Sequence, residues 1–283
     1  MNDLPLAIKN SVRKYENITV DGMVLAPILV REYDDFLAGR PALETLHQSL
    51  PVALMRVPLL SAYYQMDYAA ASRGEPIVGL FTRALIILAL SLRLGEGRGI
   101  MERVRLFDVV VDRREPEKLL ELRYTDADGA EHGIKPAKFQ FLRQVIAAQN
   151  GVEMESDMAN PDIVAAKQKM SAASGISLDA NIDDLISAIS ALSGADEAAI
   201  YEWPIRKLNR QSESYQRILS FMVNGIGEAS GASWKDGNPT PHPFFKRTHV
   251  GGLFSPLGQS ARGATIKPPQ EAQNLAQNAK NLI

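Results

Sequence analysis

The stretch that decides the architecture is residues 134–203. It opens as IKPAKFQFLRQVIAAQNGVEM (134–154), continues through NPDIVAAKQKM (160–170) and ends within IYEWPIRKLNRQ (200–211) at Trp203. Pro136 sits where the first turn of a helix tolerates proline, because that residue's N–H has no intrahelical partner. Behind it, Phe139, Leu142, Val145 and Ile146 fall on one helical face, and Asn150–Gly151 supplies the stop. Asn160–Pro161 pairs an N-cap with a proline at the first helical position, and Gly175 ends the helix that follows. Residues 179–194 repeat the device, with Ile182, Leu185, Ile186, Ile189 and Leu192 in line. Pro204 lies in the next pattern and either kinks it or marks its first turn. Residues 212–231 then read as a separate helix, apolar at Tyr215, Ile218, Leu219, Met222 and Ile226.

Upstream, residues 18–30 predict two short strands about the Asp21–Gly22 turn. A helix follows in REYDDFLAGR, closed by Gly39 and Pro41. Residues 58–74 and 77–95 give two long helical patterns. In the second, Arg83 and Arg93 are the only charges, so other elements must cover most of its circumference. Between residues 104 and 135, VRLFDVVVD, KLLELRYTD and EHGIK predict an antiparallel meander, with turns at RREPEK and DADG. The fold class is therefore α+β, mainly α: a helical body with an N-terminal β-hairpin, a small inserted antiparallel β-meander and an extended C-terminal tail. The expected divisions are 1–103, hairpin plus helical bundle; 104–231, meander followed by a helical region; and 232–283, a Pro/Gly-rich tail with room for a short terminal helix.

Composition narrows the function classes. The 283-residue chain is 46% hydrophobic and 23% charged, the balance of a globular protein. Residues 245–283 carry a net +4, which leaves −6 on the remainder of a chain of net charge −2. No overall field draws it to nucleic acid or anionic lipid. With no cysteine, disulfides, thiolate catalysis and Cys-ligated zinc are excluded. The N-terminus lacks the apolar stretch of a signal peptide. The most apolar run, residues 84–92, is about half the length of a membrane span, so no membrane association is expected.

Candidate chemistry is sparse. His47, His132, His242 and His249 have no metal-ligand spacing. The Gly95–Gly99 run lacks the Lys-Ser/Thr of a phosphate loop, and its helix precedes it. Asp34–Asp35 and Asp183–Asp184 sit where carboxylates favour helix N-termini. Catalytic, cofactor-binding and metal residues are thus assigned to none. The apolar, proline-restricted segment around Trp234, Pro239, Pro241, Phe244 and Phe245, with Leu253 and Phe254 beyond it, is the candidate partner-binding region. Its alternative is a covering segment packed on the body.

The segments LRQVIAAQNGVEM, NPDIVAAK and IYEWPIRKLNRQSESYQ, behind the meander, resemble tail-morphogenesis proteins of tailed phages and phage-like contractile particles, of the tail assembly chaperone class. The opening hairpin and REYDDFLAGRPAL have the same look. The resemblance covers about half of the chain. It implies a non-enzymatic protein of the host bacterial cytoplasm whose partners are tape-measure, tube or baseplate subunits, with a homo-oligomer open to it. Two alternatives stand beside it. One is a virion component whose C-terminal arm docks on a neighbouring subunit. The other is an enzyme with a concealed site near Arg143, Asp108 or His132.

Overall fold

The computed structural model describes residues 4–74, 79–154 and 181–233, with 238, 240, 242 and 243. The chain divides into two compact units, Met1–Glu213 and Ser214–Ile283. The first unit is mainly α, with two small antiparallel sheets.

Helix α1 (Leu6–Lys14) leads into strands β1 (Ile18–Val20) and β2 (Met23–Leu25). Their register pairs Ile18 with Leu25 and Val20 with Met23. These four are buried while Thr19 and Val24 face out, so the alternation of a half-buried hairpin is met. The tight turn holds both Asp21 and Gly22 at positive φ, the demand that Asp-Gly satisfies. Helix α1 is an element that the sequence reading did not assign.

Helices α2 (Tyr33–Gly39), α3 (Pro41–Glu44), α4 (Leu59–Ser72) and α6 (Ile100–Val104) all pack against α5 (Leu80–Ser91). In α5 only Thr82 and Arg83 are not buried, as its charge-poor sequence requires. Gly39 permits close approach of α2: a Cβ there would lie 2.8 Å from Ile87 Cγ1. Asp67 on α4 accepts from the backbone N–H groups of Gly79 (3.1 Å) and Phe81 (3.0 Å), so a distant carboxylate caps α5. Helix α6, which the sequence reading did not assign, takes in Val104, the first residue expected in the strand, and that strand begins only at Asp108.

The meander is present as β3 (Asp108–Val111), β4 (Leu119–Thr125) and β5 (Glu131–Ile134), ordered β3-β4-β5. A register shift falls between Val110 and Val111. After a 3₁₀ turn at Pro136–Lys138, α7 (Phe139–Asn150) buries Phe139, Leu142, Val145 and Ile146 completely. One apolar cluster runs from Leu4 through both sheets and α5 to Ala148 and takes in Ile205.

The described chain resumes with α8 (Ile182–Ser193), α9 (Glu197–Tyr201) and α10 (Ile205–Ala229). The expected helix after Asn160–Pro161 lies outside the described residues. On α8, Ile186 and Ile189 are buried, but Leu192 of the same expected face is 48% exposed. Pro204 marks the start of α10 and does not kink a longer helix. The separate helix expected from residue 212 does not exist: residues 205–229 form one continuous helix, since QSES (211–214) contains nothing that breaks a helix once both flanks are helical. Among the described residues no helix is long and apolar enough to cross a membrane.

Candidate functional site

The start of α10 is fixed by backbone pairing that no periodicity reveals. The N–H of Val30 donates to Trp203 O at 2.9 Å, and the N–H of Ile205 donates to Ile28 O at 3.0 Å. Arg206 donates to Ala148 O at the end of α7. Burial holds its guanidinium pKa below the usual value, with Arg210 nearby adding to the effect. Lys207 stacks its ammonium 3.8 Å from the centre of the Trp203 ring.

Beyond this anchor the character of the helix changes along one face. At about 100° per residue, Leu208, Tyr215, Leu219, Met222 and Ile226 lie within roughly 60° of one another. Leu208 is fully buried, whereas Leu219 is 47%, Met222 55% and Ile226 66% exposed. Val223 (66% exposed) widens the exposed apolar arc on one side. Arg217 and Glu228 fall on the opposite side of the helix. Scattered exposed apolar residues are ordinary, but a contiguous strip of this kind is a feature of interaction surfaces. Periodicity defines this face, but only the packing of the other elements leaves it open.

A second feature is polar. A cleft of about 450 Å³ is lined by Asp21 and Met23 of the hairpin and by Glu131, His132, Gly133, Lys135 and Lys138. Lys138 forms an ion pair with Asp21. His132 Nε2 is hydrogen-bonded to Asp126 Oδ2 at 2.7 Å, and its ring stacks on Tyr124 with centroids 5.2 Å apart. The Asp126 carboxyl is held below its ordinary pKa first by His132, then by the backbone N–H of Ala130. Burial pushes the Tyr124 phenol far upward. The pair closes the DADG turn, so its visible work is structural.

Arg143, Asp108 and His132 have separate tasks. Arg143 is fully buried and donates to Leu43 O (2.8 Å), Gln140 Oε1 (3.1 Å) and Thr45 O (2.9 Å). Asp108 sits in the β3–β4 register opposite Arg123. His132 serves the turn. Among the described residues no group of three His, Asp or Glu side chains is placed to hold a metal ion. Glu96 of the glycine-rich run pairs with Arg31 and with Arg93 (3.1 Å).

The partner-binding candidates Trp234, Pro239, Pro241, Phe244, Phe245, Leu253 and Phe254 lie outside the described residues, as does His249. Within that stretch, the backbone N–H of Thr240 donates to Asn238 Oδ1 at 2.8 Å. No protein-family model, curated protein or solved structure matches this chain.

Proposed function

We propose that this protein is a tail-morphogenesis factor of a phage or prophage, similar to tail assembly chaperones, which acts in the host cytoplasm by binding other proteins and catalyses no reaction. The observation that carries the reading is the exposed apolar face of α10 at Leu219, Met222, Val223 and Ile226. Such a strip loses unfavourable contact with water when another protein covers it. The sequence resemblance supplies the context. Proteins of that class bind the long, aggregation-prone tape-measure protein and help recruit tube subunits, and amphipathic helices are suited to such clients.

The test is co-expression with the tape-measure protein encoded in the same gene cluster. The expected result is a soluble complex, with the tape-measure protein insoluble when expressed alone. An inert chain that retains no tail protein overturns the reading. Mass spectrometry of purified particles separates the two roles: a chaperone is absent from the mature particle, and a tail or baseplate component is present.

A further inference from the structure

We propose that α8 and α9 form an arm that swings open as one piece about Glu202, and that the Arg31 guanidinium is the clasp that holds it shut. Three side-chain hydrogen bonds tie the two helices and their link to each other. Ser187 Oγ donates to Glu197 Oε1 at 2.7 Å, Ser190 Oγ donates to Ala195 O at 2.8 Å, and the Tyr201 hydroxyl donates to Asp183 Oδ1 at 3.1 Å. Ile186, Ile189 and Ile200 are buried, yet none of them belongs to the apolar cluster that joins both sheets, α5 and α7. The arm thus has its own polar ties and its own buried residues apart from the main core.

Its ties to the rest of the chain are few. Helix α9 packs against the 3₁₀ turn Val30–Glu32. Between residues 181–202 and the chain that precedes them, one ion pair is present among the described residues. Arg31 Nη1 donates to Glu202 Oε1 at 2.6 Å, with the side chains 40% and 56% exposed. Water and salt both compete with a pair this open. The other terminal nitrogen of Arg31 donates to Glu96, which aims the guanidinium.

The pivot lies where the chain stops being fixed. Trp203 and Ile205 are pinned by backbone bonds to Val30 and Ile28, and the Trp203 ring lies against Lys207 of α10. Glu202 stands between that mount and α9, just past the end of the helix, at φ −87° and ψ 0°. A few dihedrals at the end of an element are enough to absorb a rigid-body swing. A segment with few apolar contacts to the core opens at a lower free energy than the core itself.

The experiment is native-state amide hydrogen exchange on the full chain. The Ile189 and Ile200 amides are expected to exchange through one shared opening, ahead of Ile87 in α5. The Ile205 amide, on the core side of the pivot, is expected to stay protected with the core. Arg31→Met should speed exchange at Ile189 and Ile200 by about twofold to fivefold, the scale of losing one exposed ion pair, and leave Ile87 unchanged. Glu202→Ala, which leaves Arg31 with Glu96, should do the same. Raising salt from about 0.05 M to about 1 M should mimic either variant in the native chain and add nothing to the variants. Exchange of Ile189 and Ile200 only together with Ile87 overturns the proposal. So does a Glu202→Ala protein that exchanges like the native chain, or an equal acceleration at Ile87 and Ile205, which marks a general loss of stability.

Discussion

Arg103 Nη1 donates to Glu32 Oε1 at 2.7 Å, with the two side chains only 4% and 9% exposed. The same guanidinium donates through Nε to Leu94 O (2.7 Å) and through Nη2 to Ala89 O (3.0 Å). One side chain therefore ties α6 to the end of α5 and to the turn that precedes α2. Replacing it by methionine strands a buried carboxylate and two carbonyls. Arg103→Met is expected to cost about 3–5 kcal/mol, the scale for breaking a buried ion pair from one side. Urea denaturation checks this. The double change Arg103→Met, Glu32→Gln is expected to recover part of the loss.

Asn150 has a comparable duty at the end of α7. Its Oδ1 accepts from the N–H of Ile28 at 2.9 Å, and its Nδ2 donates to Ile146 O at 2.8 Å. Asn150→Ala leaves a buried backbone donor without its partner and is expected to cost about 1–3 kcal/mol. Amide hydrogen exchange at Ile28 should accelerate more than at Val145, within the core of the helix.

Asp67 substitutes for a local cap on α5. Its carboxylate is penalised by burial, which raises its pKa, although four backbone N–H groups oppose the shift. Asp67→Ala removes both carboxylate oxygens that accept from the start of α5 and is expected to cost about 0.5–2 kcal/mol. Asp67→Asn keeps one amide oxygen without a charge to desolvate, so thermal unfolding should place it between the two.

The Asp126 turn gives a pH dependence with a definite sign. Its folded-state pKa lies below the ordinary 3.8, so its contribution is present above that value and is lost as pH falls through the folded value. The protection against exchange of the Asp128 and Ala130 amides, which donate to Asp126 Oδ1 at 3.0 and 2.9 Å, should fall as the pH drops below the ordinary carboxylate range. Asp126→Asn should remove that acid limb.

Along α10, two leucines of one face separate core from surface. Leu208→Ala is expected to destabilise by about 2–5 kcal/mol, because the side chain is fully buried. Leu219→Ala is expected to stay within about 0.5 kcal/mol, because the side chain is 47% exposed. Circular dichroism melts of both variants at low concentration make the comparison.

The sequence by itself determined what depends on near neighbours. The Asp21–Gly22 hairpin, the DADG turn, the Pro136 start, the stops at Gly151 and Gly194 and the buried face of α7 all follow from φ preferences and from periodicity within a dozen residues. The tertiary structure alone decided the rest. Arg103, Arg143, Gln149 and Asn150 have the composition of surface residues, yet all are buried, because their partners lie tens of residues or more away and only folding brings them together. The helix from Ile205 to Ala229 carries the same point along its length. Periodicity places Leu208 and Leu219 on one face, but it reports only the direction of a side chain; whether protein or water lies in that direction is settled by where the other elements pack.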